Sequence, residues 1–66
     1  MEILINNEAF DTQAKNLYDL LTEHGLNDQR GIAVAVNNFV VPKANWTIQK
    51  LINQDKITVI KATQGG

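Results

Sequence analysis

The chain opens on an apolar, β-branched-rich stretch, residues 2–6 (Glu-Ile-Leu-Ile-Asn), a composition that favours a strand. Asn6-Asn7 follows and tolerates left-handed backbone angles before Ala9-Phe10-Asp11, so the start reads as a β-hairpin. The period then changes. Leu17, Leu20, Leu21 and His24 fall at i, i+3, i+4 and i+7, the apolar stripe of a helix over residues 17–24, with Asp19, Thr22 and Glu23 left to solvent. Asn16 can cap a free N–H at its start, and Asp19 three residues later favours the positive helix end. Gly25 at C′ and Leu26 at C″ form a Schellman stop that folds Leu26 back onto Leu21.

Past the polar Asn27-Asp28-Gln29 loop, Gly31 leads into Ile32-Ala33-Val34-Ala35-Val36, a central strand. Its bulky residues alternate with alanines, so Ile32, Val34 and Val36 can pack on the helix while Ala33 and Ala35 form a flat opposite face. Asn37-Asn38 turns the chain into Phe39-Val40-Val41, and Pro42, lacking a backbone donor, ends that pairing. Lys43-Ala44-Asn45-Trp46 reads as one helical turn. Residues 47–53 fit a short helix (Ile48, Leu51, Ile52) and an edge strand (Thr47, Ile48) alike. Gln54-Asp55 turns into the last strand, residues 56–63. In that strand Ile57 and Val59 face the helix, which leaves Thr58, Ile60 and Ala62 beside Ala33 and Ala35 as a shallow apolar patch. Two hairpins around one helix give an α+β fold with the helix packed across a mixed sheet, the first and last strands central and parallel.

Sixty-six residues make one domain with a small core, expected over residues 1–63 with a flexible tail at 64–66. Net charge is −1, and the six basic residues are spread along the chain, which leaves no footprint for nucleic acid. Cysteine is absent, so neither a disulfide framework nor a thiolate metal site is available. No signal sequence or membrane-length apolar run occurs, and a cytoplasmic location follows. Serine is missing as well, and the single histidine, His24, suits a helix end better than the role of ligand or base; no catalytic residue or metal site is expected. Trp46 reads as core, since roughly 200 Å² of buried indole contributes about 5 kcal/mol gross.

The remaining candidate is the end of the chain, Gly65-Gly66. Glycine carries no Cβ and passes through slots that exclude other residues, so a carboxylate there can be threaded into another protein's active site. The bland alternative is a frayed or appended terminus. The patch formed by Ile60, Ala62, Thr58, Ala33 and Ala35 beside this tail suggests a docking surface, against which stands an ordinary exposed sheet face.

Taken together, the opening Met-Glu-Ile-Leu-Ile-Asn-Asn-Glu, the run from Ala33 to Lys43, Trp46, Asp55 and the Gly65-Gly66 end resemble the thiamine-biosynthesis sulfur-carrier proteins over essentially the whole chain. Asn7, Asn38 and Gln54 stand where glycine is common in that family. The resemblance implies a β-grasp, ubiquitin-like fold, and a protein that is a substrate of other enzymes and no catalyst. It implies that a ubiquitin-activating-type adenylating enzyme uses ATP to convert the Gly66 carboxylate to an acyl-adenylate. A cysteine-persulfide donor then supplies sulfur to give a thiocarboxylate, and thiazole synthase accepts it; the chain itself binds no cofactor. Gln64, Gly65 and Gly66, extended at about 3.4 Å each, reach roughly 10 Å. The rival readings are a molybdopterin-type sulfur carrier, a ubiquitin-like modifier, and a β-grasp binding module whose tail has no role.

Overall fold

The computed structural model describes residues 1–61; the tail residues Gln64, Gly65 and Gly66, with Ala62 and Thr63, lie outside the described residues. The opening hairpin joins β1 (Glu2–Ile5) to β2 (Glu8–Asp11). Asn6 and Asn7 sit at φ +50° and +70°, the two positive angles a two-residue turn needs to match the twist of its strands. The second hairpin repeats the device. β3 (Ile32–Val36) turns at Asn37 (φ +51°) and Asn38 (φ +73°) into the short β4 (Phe39–Val40). Val41 still donates its N–H to Val34 O at 2.8 Å before Pro42 stops the ladder. Between the hairpins runs α1 (Leu17–Glu23), and β5 (Lys56–Lys61) closes the described chain.

These strands form one mixed sheet in the order β2-β1-β5-β3-β4. β1 and β5 are parallel, as expected from the sequence, and β5 is the middle strand; β3 is internal, antiparallel to both β5 and β4. This is the β-grasp arrangement, with one helix laid across one face. The core combines Leu17, Leu20 and Leu21 of the helix with Ile3, Ile5, Val34, Val36 and Ile57 of the sheet, and with Ala14, Val41, Trp46 and Leu51 from the connections.

The helix ends follow the sequence closely. Asn16 Oδ1 accepts from Asp19 N at 2.7 Å. Gly25, at φ +70°, donates to Thr22 O at 3.1 Å, while Leu26 N donates to Leu21 O at 2.8 Å, the two bonds of a Schellman stop. Leu26 packs against the core. His24 lies just past the last helical residue as the C-cap, half-buried, its ring edge-on to Phe10 at 4.8 Å.

The ambiguous residues 47–53 are neither helix nor strand. Lys43–Asn45 is a 3-10 turn, and residues 46–48 continue as a turn. Beyond it only Lys50 bridges to Asn16. The reason lies at the helix N-terminus, where free N–H groups need acceptors: Gln49 O accepts from Leu17 N at 2.9 Å and Trp46 O from Tyr18 N at 3.0 Å. With its carbonyls aimed at another element, the segment cannot use them for a helix or ladder of its own. Trp46 is 2% exposed, and its Nε1 donates to Val41 O at 3.0 Å.

Two buried polar residues tie the turns together. Asp55 accepts from Asn37 Nδ2 and from Ile52 N, both at 2.9 Å, linking the β3–β4 turn to the turn before β5. Thr12 donates its hydroxyl to Glu23 at 2.6 Å and accepts from Ala14 N at 3.0 Å, joining the end of β2 to the end of α1. Among the described residues no buried side-chain polar atom lacks a partner. Gln54 adopts φ +74°, a strained angle for a long side chain.

Candidate functional site

The face of the sheet away from the helix is built by strand alternation. Ile57 is buried against the helix, so Lys56, Thr58 and Ile60 of β5 point the other way. The β3–β5 register pairs Ala33 with Ile60 and Ala35 with Thr58. Four of the five residues expected to form the apolar patch are therefore together: Ala33, Ala35, Thr58 and Ile60. Ala62, the fifth, lies outside the described residues. Ile60 is 60% exposed, although Ile is a residue type more often buried. A depression of ≈ 290 Å³ lined by Gly31, Ile32, Ala33 and Ile60 opens at this place. A similar depression of ≈ 330 Å³, lined in part by Met1, Thr12 and Lys50, sits where β2 leaves the sheet. The former adjoins β5, the described strand nearest in sequence to Gly66.

Sequence reading missed Val40. The two-residue Asn37-Asn38 turn fixes the hairpin register, pairing Val36 with Phe39 and Ala35 with Val40, so Val40 joins the Ala35 face. There it is 71% exposed and extends the patch to the sheet edge. The turn length alone carried this signal. Leu4, half-buried, continues the same face across β1, beside Lys56.

The described side chains of this face are mostly apolar and small, with Lys56 as its charged member on β5. Among the described residues, no three His, Cys, Asp or Glu side chains group to hold a metal ion. None of the described helices is long and apolar enough to cross a membrane. What the face can do is bury Ile60, Val40 and the two alanines under an apolar partner, beside the strand that runs toward the terminal glycines.

Known proteins share this architecture. The chain has the fold of the thiamine biosynthesis protein (ThiS) of Geobacter metallireducens, with TM-score 0.84 at 16% identity over 100% of both chains in its crystal structure. For that protein's solution NMR structure the TM-score is 0.76, also at 16% identity, covering 100% of this chain and 88% of the other. In sequence, the chain is 30% identical over 66 residues, the whole of both chains, to the sulfur carrier protein ThiS of Escherichia coli (strain K12). With the ThiS family model matching residues 2–66 as well, this chain belongs to the ThiS family.

Proposed function

We propose that the chain is a sulfur carrier of thiamine biosynthesis whose cargo is held at the Gly66 carboxylate and whose open sheet face docks the enzymes that load and unload it. The observation that carries this reading is the position of the apolar patch: Ile60 and Thr58 lie on β5, the strand that ends at Lys61 and precedes Gly65-Gly66. The family match runs to residue 66, and the E. coli relative aligned over its full length is named a sulfur carrier.

The chemistry of the terminus suits the task. A carboxylate is a poor electrophile because its negative charge repels attack. Adenylation by a ubiquitin-activating-type partner, which uses ATP, removes that charge and installs AMP as a leaving group. The outer sulfur of a cysteine-persulfide donor attacks the acyl-adenylate and displaces AMP, giving an acyl disulfide with the donor cysteine. A second thiol then cleaves that S–S bond, forming a disulfide with the donor cysteine and releasing the thiocarboxylate, a polarizable nucleophile for thiazole synthase. The chain is thus a protein co-substrate and not a catalyst. Residues 1–63 act as the handle. Gln64, Gly65 and Gly66 enter the partner's active site, where two residues without Cβ atoms fit a narrow passage. A cytoplasmic site of action suits this exchange.

The test is Gly66→Ala. The variant should fold as the parent does and fail to form the acyl-adenylate with the adenylating partner; normal adenylate formation would contradict threading. Deleting Gly65-Gly66 separates a carrier, which loses function, from a binding module, which keeps it.

A further inference from the structure

The charge of this chain is divided along its sequence, and the fold turns that division into one of space. Six of the seven acidic residues stand in residues 1–28 with Lys15 as the one base, and five of the six bases stand in residues 29–66 with Asp55 as the one acid. Asp55 is buried. Because β1 and β2 come from the first part and β3 and β4 from the second, the order β2-β1-β5-β3-β4 puts the acidic strands at one margin of the sheet.

On the open face the division is sharp. Glu2 and Asp11 are direct cross-strand partners on the side of Leu4 and Ala9, whereas the β3 and β4 positions of that face are Ala33, Ala35 and Val40. Two like charges placed directly opposite each other are unfavourable in an antiparallel pair, and nothing in strand propensity asks for them. Their local compensation is slight. Asp11, 93% exposed, lies 3.4 Å from the N-terminal ammonium of Met1. Among the described residues the Glu2 carboxylate accepts one hydrogen bond, from Gln54 Nε2 at 3.2 Å. Among the described residues neither acid is bridged by a lysine or arginine, Lys56 on the same face included. Apolar contact is non-directional. An acid pair at one margin of an apolar field supplies the direction, because charge complementarity fixes register and suppresses wrong orientations.

We propose that the adenylating partner presents to this face an apolar surface over Ile60, Ala33, Ala35 and Val40, and arginine or lysine side chains over Glu2 and Asp11. The charge contact sets the orientation in which the tail meets the active site. This proposal rests on the docking role of the open face given above.

The test compares variants in steady-state adenylation by the adenylating enzyme of the same organism, with thermal unfolding as the folding control. Glu2→Lys/Asp11→Lys is set against Glu8→Lys/Asp28→Lys. The second pair changes net charge equally within the acidic half, but at the helix-side register position of β2 and in the loop after α1. The first pair should raise KM for the carrier by about tenfold with kcat kept, and flatten the dependence of kcat/KM on ionic strength; the second should change KM by less than about twofold. Equal effects of the two pairs overturn the proposal, because only overall charge would then matter. No effect of Glu2→Lys/Asp11→Lys while Ile60→Asp raises KM overturns it but leaves the docking face standing. Should Ile60→Asp also leave KM unchanged, the docking face falls too.

Discussion

The two faces of this sheet share the same strands yet differ in what covers them. Toward the helix, Ile3, Ile5, Val34, Val36 and Ile57 are buried against three leucines. Away from it, Ala33, Ala35, Val40, Thr58 and Ile60 meet solvent with nothing laid across them among the described residues. On β5 the contrast is one of neighbours in a single strand: Ile57 is 1% exposed and Ile60 60%. In so small a domain, one layer of helix on one layer of sheet is all the core there is. Its stability therefore depends on the covered face, and the uncovered face contributes little to it.

Substitutions should separate the two. The largest loss is expected at Trp46→Ala, about 3–5 kcal/mol in urea denaturation, since the indole is buried and its N–H ties Val41 to the core. A loss under about 1 kcal/mol would show that the 42–53 connection does not anchor the covered face. Ile57→Ala should cost about 2–5 kcal/mol by the same measurement. Asp55→Ala removes the acceptor of two hydrogen bonds and should cost about 2–3 kcal/mol, with Asp55→Asn milder because an amide keeps one acceptor. Gln54→Gly should instead raise stability by about 1 kcal/mol, relieving the positive φ. The smallest effect belongs to the open face: Ile60→Ala should change stability by no more than about 0.5 kcal/mol. A loss at Ile60 matching that at Ile57 would erase the distinction between the faces.

Much of this organisation was legible in the sequence because it is local. The asparagine pairs announce positive-φ turns, the Asn16 cap and the Gly25 stop bracket the helix, and bulky-small alternation in β3 separates the faces before any partner strand is known. The position of Val40 was legible too, through the length of the Asn37-Asn38 turn. Residues 47–53 were not, since their form depends on carbonyls that cap a helix thirty residues earlier in the chain, roughly, and no local period encodes that. The Asn37–Asp55 and Thr12–Glu23 links were hidden for the same reason, being pairings between elements distant in sequence. Gln54 shows a further limit: its side chain argues against a left-handed angle that the turn into β5 nevertheless imposes.

The most direct test of the carrier role is the intact mass of the chain after incubation with ATP, the adenylating partner, a persulfide sulfur source and a thiol reductant. Exchange of one oxygen for one sulfur, mapped to Gly66 and absent from Gly66→Ala, is the predicted result. A chain of unchanged mass, under conditions in which the E. coli carrier is converted to the thiocarboxylate by its own partner, would contradict it.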